Sequence, residues 1–171
     1  MDNPRIAELQ RVFTTRLEVL EHLIAIGEGH FQDAAAFMDK RLAEDMLPFA
    51  AQVAFACNAP RGFAQWCAGE PVENIKPDSI GSLAQAREAI AQTRAQVAGI
   101  GVDDAKLEEI KRVGLGPGRY CELPGHQYLA DYVLPNLYFH LTTAYAILRQ
   151  HGAPLGKSDF LMVLGPYVRT E

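Results

Sequence analysis

Leu134-Pro135-Asn136-Leu137-Tyr138-Phe139-His140-Leu141-Thr142-Thr143-Ala144-Tyr145 is the stretch on which the fold turns. Val133, Leu137, Ala144 and Leu148 recur at helical spacing, with His140 on the same stripe. Leu134, Tyr138, Leu141 and Tyr145 form a second apolar row. A helix apolar on two faces sits centrally in its domain or is covered on its far side by a partner subunit. The pattern predicts a helix over residues 127–151 that Gly152 and Pro154 stop. Pro135 must kink that helix or mark its true start.

Three further helices are legible upstream. Ile6, Leu9, Phe13, Leu17, Leu20 and Ile24 advance in steps of three and four, and Gly27 and Gly29 are expected to end that helix. A short helical piece is expected from Asp33 to Met38. The next long helix is read as capped by Asp45, with Pro48 in its first turn and Gln52, Phe55, Ala59, Phe63 and Trp66 along one face. Pro60 predicts a kink or a break there, since an interior proline removes one backbone bond and costs roughly 3 kcal/mol. Gly69-Glu70-Pro71 closes the segment. Asp78 or Ser79 caps a third helix with the stripe Leu83, Ala86, Ile90, Thr93 and Val97, ended by Gly99 and Gly101. Residues 109–113 and 119–123 flank Gly114-Leu115-Gly116-Pro117-Gly118 and read as a small β-hairpin. Phe160, Leu161, Val163 and Leu164 in the tail are expected to pack back on the bundle, since an exposed apolar tail invites aggregation. The expectation is an all-α four-helix bundle with a short β-hairpin before the last long helix, as one domain over residues 1–171.

Composition narrows the function. The 171 residues are 49% hydrophobic, enough for one substantial core. Lys plus Arg number 16 against 21 Asp plus Glu, a net charge of −5, and the densest basic run is Lys111-Arg112. Nucleic acid and anionic membrane surfaces need clustered positive charge, so neither is an expected partner. No run approaches the roughly 20 apolar residues of a membrane span, and Asp2 and Glu8 leave no room for a signal-peptide core. Cys57, Cys67 and Cys121 lack CxxC spacing and read as free thiols, so the chain is expected to be cytoplasmic.

His140 is the sharpest candidate for chemistry, as metal ligand or general base, set against a core histidine satisfied by one hydrogen bond. A helical metal site usually draws a second ligand from i+3 or i+4, and those positions are Thr143 and Ala144. His22, His30, His126 and His151 read as structural or solvated, and neither HExxH nor Glu-x-x-His occurs. Gln52 lies on the face assigned to the core, where a buried amide needs partners. The glycines at 114, 116 and 118 lack the Lys-Ser/Thr of a phosphate loop and read as a turn.

Residues 41–48 with Gln52-Val53, the stretch 134–149, and Pro154-Leu155-Gly156-Lys157-Ser158-Asp159-Phe160 together resemble an uncharacterised bacterial family. It is the domain-of-unknown-function family numbered nineteen-ninety-three, within the DinB/YfiT-like superfamily. The resemblance implies a four-helix bundle, often a homodimer. It also implies, for many members, nickel or zinc on three histidines: one from the second helix and a His-x-x-x-His pair from the fourth. Some members are thiol-dependent transferases or isomerases. Carried over residue by residue, only His140 matches a ligand; its i+4 partner is Ala144, and the second-helix counterpart is Gln52. The expected site is therefore a degenerate, metal-free pocket walled by His140, Gln52 and Tyr145, with Asn136 one turn away, holding a small molecule. His140 would serve as base and Tyr145 or Gln52 as its orienting group. The alternatives are a metal-dependent thiol transferase or hydrolase, with nickel or zinc on His140, and a non-catalytic dimeric interaction protein.

Overall fold

Ile6, Leu9, Phe13, Leu17, Leu20 and Ile24 are all buried along α1 (Pro4–His30) in a computed structural model, which describes residues 3–33 and 37–171. The helix does not stop at Gly27 or Gly29. It ends at Phe31, whose N–H bonds to the Gly27 carbonyl. Gly27 serves close approach: a Cβ there would meet Leu148 Cδ2 and Phe37 Cε2, each at 3.3 Å. Of the helical piece expected from Asp33 to Met38, residues 34–36 lie outside the described residues; Phe37 and Met38 are buried in the core.

The second helix, α2 (Phe49–Ala68), begins later than Asp45 suggested. Extended Pro48 immediately precedes it, and no side chain caps it. Nor does Pro60 break it: α2 stays one helix. Almost every residue around Pro60 is buried, so packing on both sides outweighs the one backbone bond that proline forfeits. Gly69 ends α2 in the left-handed conformation, at φ 73°. The third helix, α3 (Leu83–Ala98), buries its whole predicted stripe. Its cap is Ser82, which accepts from the Gln85 N–H at 3.2 Å, rather than Asp78 or Ser79. Ser79 instead donates to the Lys76 carbonyl.

After a 3-10 turn at Asp104–Glu108, β1 (Ile110–Gly114) and β2 (Tyr120–Pro124) form an antiparallel hairpin that pairs Lys111 with Leu123 and Val113 with Cys121. Gly125–Gln127 then starts a helix that passes through a wide, π-helical turn at Tyr128–Val133 into α4 (Leu134–Gln150). In that turn the Leu134 N–H reaches the Leu129 carbonyl, five residues back. Pro135 has no N–H to offer Asp131, and the wide turn absorbs the mismatch without ending the helix.

The four long helices close a ring in which α4 packs most extensively on α2, α2 on α3, and α1 on both α3 and α4, leaving α1 diagonal to α2. Of the two apolar rows on α4, the first is buried. The second is only partly so: Leu141 is buried, whereas Tyr138 is exposed, with neighbouring Phe139 at 59%. The tail returns to the bundle through α5 (Lys157–Phe160), where Phe160 packs edge-on to Tyr145 and Asp159 accepts from His22 at 3.0 Å. Val163 also packs on the core, whereas Leu164, expected to do so, is exposed. Among the described residues, no helix is long and apolar enough to cross a membrane.

Candidate functional site

Gln52 lies one turn into α2, only 3% exposed, and its amide has two fixed partners. Its Nε2 donates to the Leu47 carbonyl at 3.0 Å, and its Oε1 lies 2.8 Å from His140 Nδ1. A carbonyl can only accept, so the amide nitrogen must face Leu47 and the amide oxygen must face the histidine. That leaves Nδ1 as the protonated nitrogen of His140, with the lone pair on Nε2. Phe55 lies beside the ring, with centroids 4.9 Å apart. Burial pushes the His140 pKa down to about 4, so the imidazole is neutral at physiological pH.

His140 forms part of the wall of a cleft of about 470 Å³ between α2, α4 and the hairpin. Tyr128, Tyr132, Asn136 and His140 supply one side at intervals of four residues. The rings of Tyr128 and Tyr132 stack 5.7 Å apart, and Asn136 Nδ2 donates to the Tyr132 carbonyl at 2.6 Å. Across from them β1 contributes Lys111, Arg112, Val113 and Gly114. A strap over residues 72–75 borders the cleft, tied down by α2: Asn58 both donates to and accepts from the Ile75 backbone, at 2.9 and 2.7 Å. Gln65 and Arg61 hold Glu73 in the same way.

The four residues expected at the site are distributed differently. His140 and Asn136 line the cleft. Gln52 sits behind the imidazole and reaches the cleft only through it. Tyr145 is elsewhere, its ring against Phe160 on the side facing the tail. Lys111, Tyr128 and Tyr132 were not anticipated. Strand alternation puts Lys111 on the same face as buried Val113, while exposed Arg112 reaches the cleft only at its rim. Arg112 stacks over Tyr120, 3.6 Å from its ring centre.

The donor set is poor for a divalent ion. Among the described residues no three His, Cys, Asp or Glu side chains come together. Ala144, one turn beyond His140, is fully buried, and the Gln52 amide is spent on Leu47 and His140. One imidazole without a second ligand does not supply the donor set that a tetrahedral zinc site requires. The two buried thiols are not activated: burial raises Cys57 to about 12 and Cys67 to about 11.

The depressed His140 pKa has a consequence for stability. An unfolded histidine takes up its proton near pH 6.5, whereas the folded one resists until about 4. Between those values the unfolded state binds more protons, so stability falls as pH drops through that window and is flat above it. Discounted for the ring's partial access to solvent, the loss is about 1–2 kcal/mol. Urea unfolding at pH 7 and pH 4.5 should show it, and His140→Leu should reduce the difference between the two.

The family model described as Domain of unknown function (DUF1993) matches residues 8–161. The crystal structure of a DinB family member protein from Shewanella denitrificans superposes with a TM-score of 0.76, at 28% identity, covering 89% of this chain and 88% of that one. No curated protein matches significantly.

Proposed function

The chain belongs to the DUF1993 family and has the DinB-like fold, and from that premise we propose that it binds a small organic molecule in the α2–α4–hairpin cleft without a resident metal. The carrying observation is the locked imidazole. Leu47 fixes Gln52, Gln52 fixes His140, and the Nε2 lone pair remains as an acceptor in a chamber large enough for a small ligand. Asn136 Oδ1, with no hydrogen-bond partner among the described residues, offers a second acceptor one turn away. The two acceptors suit a ligand with hydroxyl or amino hydrogens.

A conjugate acid near pH 4 makes His140 a weak base at neutral pH, which favours recognition over proton abstraction. The test is NMR observation of the His140 imidazole and Asn136 amide against a library of polar fragments, with His140→Phe as the control. Fragments that shift both resonances, and lose binding in the variant, are expected. Elemental analysis of protein purified without a tag is the second arm. One equivalent of nickel or zinc that disappears in His140→Ala would overturn the metal-free reading.

A second reading concerns assembly. The outer strip of α4, with Pro135, Tyr138, Phe139 and Thr142, is apolar and open, and it favours a homodimer through that helix. Sedimentation velocity of the wild type and Phe139→Asp tests it; a monomeric wild type would remove it.

A further inference from the structure

The cleft has a sign. None of the residues lining it is acidic, although the chain as a whole carries a net charge of −5. Two cations border it: exposed Arg112, whose guanidinium lies over the Tyr120 ring, and Lys111, which is half-buried on β1 and held 6.0 Å from the Tyr128 ring centre, so the inward charge is that of Lys111. Lys111 has no carboxylate partner among the described residues; nearby Lys106 is already paired with Glu109 at 2.6 Å. Burial lowers the Lys111 pKa, and Lys106 lowers it further, so its charge is held there against both desolvation and repulsion. A cation left unneutralised in a partly dry cleft is compensated only when an anion arrives.

We infer that the molecule bound in this cleft is a small organic anion, a carboxylate or phosphate monoester, whose charged group pairs with Lys111 while a hydroxyl or amino hydrogen on the same molecule donates to His140 Nε2. The two anchors differ in what they can accept. Lys111 offers donors only, and the locked His140 Nε2 offers a lone pair only, so a ligand must bring an acceptor-rich anion to one and a hydrogen to the other. The stacked Tyr128 and Tyr132, together with Phe55, line the same cleft and offer aromatic surface suited to a flat or aliphatic body. The inference rests on the small-molecule reading above and adds the ligand's charge.

The experiment compares matched probes: the three hydroxyphenylacetates, their primary amides, and the three hydroxyphenyl phosphates, each titrated while the His140 imidazole is observed by NMR. At least one acid should bind about tenfold or more tightly than its amide. That preference should weaken with added salt and fall to near unity in Lys111→Met. Arg119→Met, which removes a charge from the hairpin turn outside the cleft, should retain it. Tighter binding of a hydroxyphenyl phosphate than of any hydroxyphenylacetate assigns the anion as a phosphate; the reverse assigns a carboxylate. Acids and amides that bind equally overturn the charge inference while leaving the pocket standing. Probes that fail to move His140 at all overturn both. Thermal unfolding of Lys111→Met, with its fold intact, separates lost recognition from lost structure.

Discussion

Gly125→Ala should destabilise the protein by about 3 kcal/mol, among the most damaging single-methyl additions the chain can receive. A Cβ at this position would lie 2.6 Å from Trp66 Cη2 and 2.9 Å from both the Cα and the carbonyl oxygen of Leu107. The tryptophan cannot swing away cheaply. It is only 8% exposed, packed against Phe63 and Tyr128, with the Lys106 ammonium 4.7 Å from its ring centre. Leu107 presents backbone, and its side chain is fully buried. Gly125 is also tethered, its N–H donating to the Glu109 carbonyl at 2.8 Å, so β2 cannot simply step aside. Urea denaturation should show a lowered midpoint at unchanged slope, and the melting temperature should fall by roughly 6–12 °C. A loss below about 1 kcal/mol would mean that the hairpin slides freely over the bundle. Because β1 carries Lys111, the same variant should loosen one wall of the cleft.

The second large effect is expected at Gln52. Gln52→Leu keeps much of the volume but strips two hydrogen bonds at once, leaving the Leu47 carbonyl and His140 Nδ1–H without partners. Each such orphan costs about 1–3 kcal/mol when buried, and water can reach Leu47, so the sum should be about 2–3 kcal/mol. Gln52→Glu separates stability from electronics. A carboxylate against Nδ1 favours the imidazolium, so the His140 pKa should climb from about 4 toward or past its unperturbed value. Nitrogen-detected NMR of the imidazole reads both effects: a fixed tautomer in the wild type, a mixed population in Gln52→Leu, and a charged ring near neutrality in Gln52→Glu. An unaltered tautomer in Gln52→Leu would remove Gln52 as the positioning residue.

These two sites also show what the amino-acid sequence could and could not disclose. The α1 and α3 stripes were legible because burial along a helix repeats on its own period, whatever the neighbouring elements do. Punctuation was harder. Gly27 looks like a terminator, but its missing side chain makes room for Phe37 and Leu148, a requirement imposed from two other parts of the chain. Asp45 has the chemistry of a cap, yet α2 starts four residues later behind Pro48. Within the site, Gln52 and His140 lie 88 positions apart, and their shared core-facing phase was visible without their contact. Tyr145 sits five positions beyond His140, which turns it toward the tail, whereas the four-residue spacing back to Asn136 keeps that side chain in the cleft. Lys111 shares its face with Val113, but a five-residue strand offers too few alternations to tell from sequence which face turns inward.

Helical pitch ahead of Pro135 carries a final implication. In a uniform α-helix, side chains four apart drift by about 40° per step, so Tyr128 and His140 would diverge by roughly 120°. The slack turn at Tyr128–Val133 rotates the opposite way and brings the tyrosines back into line with Asn136 and His140. Excising a single residue from that turn would therefore swing both aromatic rings out of the chamber while sparing the imidazole. Loss of one codon, with no change of residue type, is thus enough to exchange one binding surface for another.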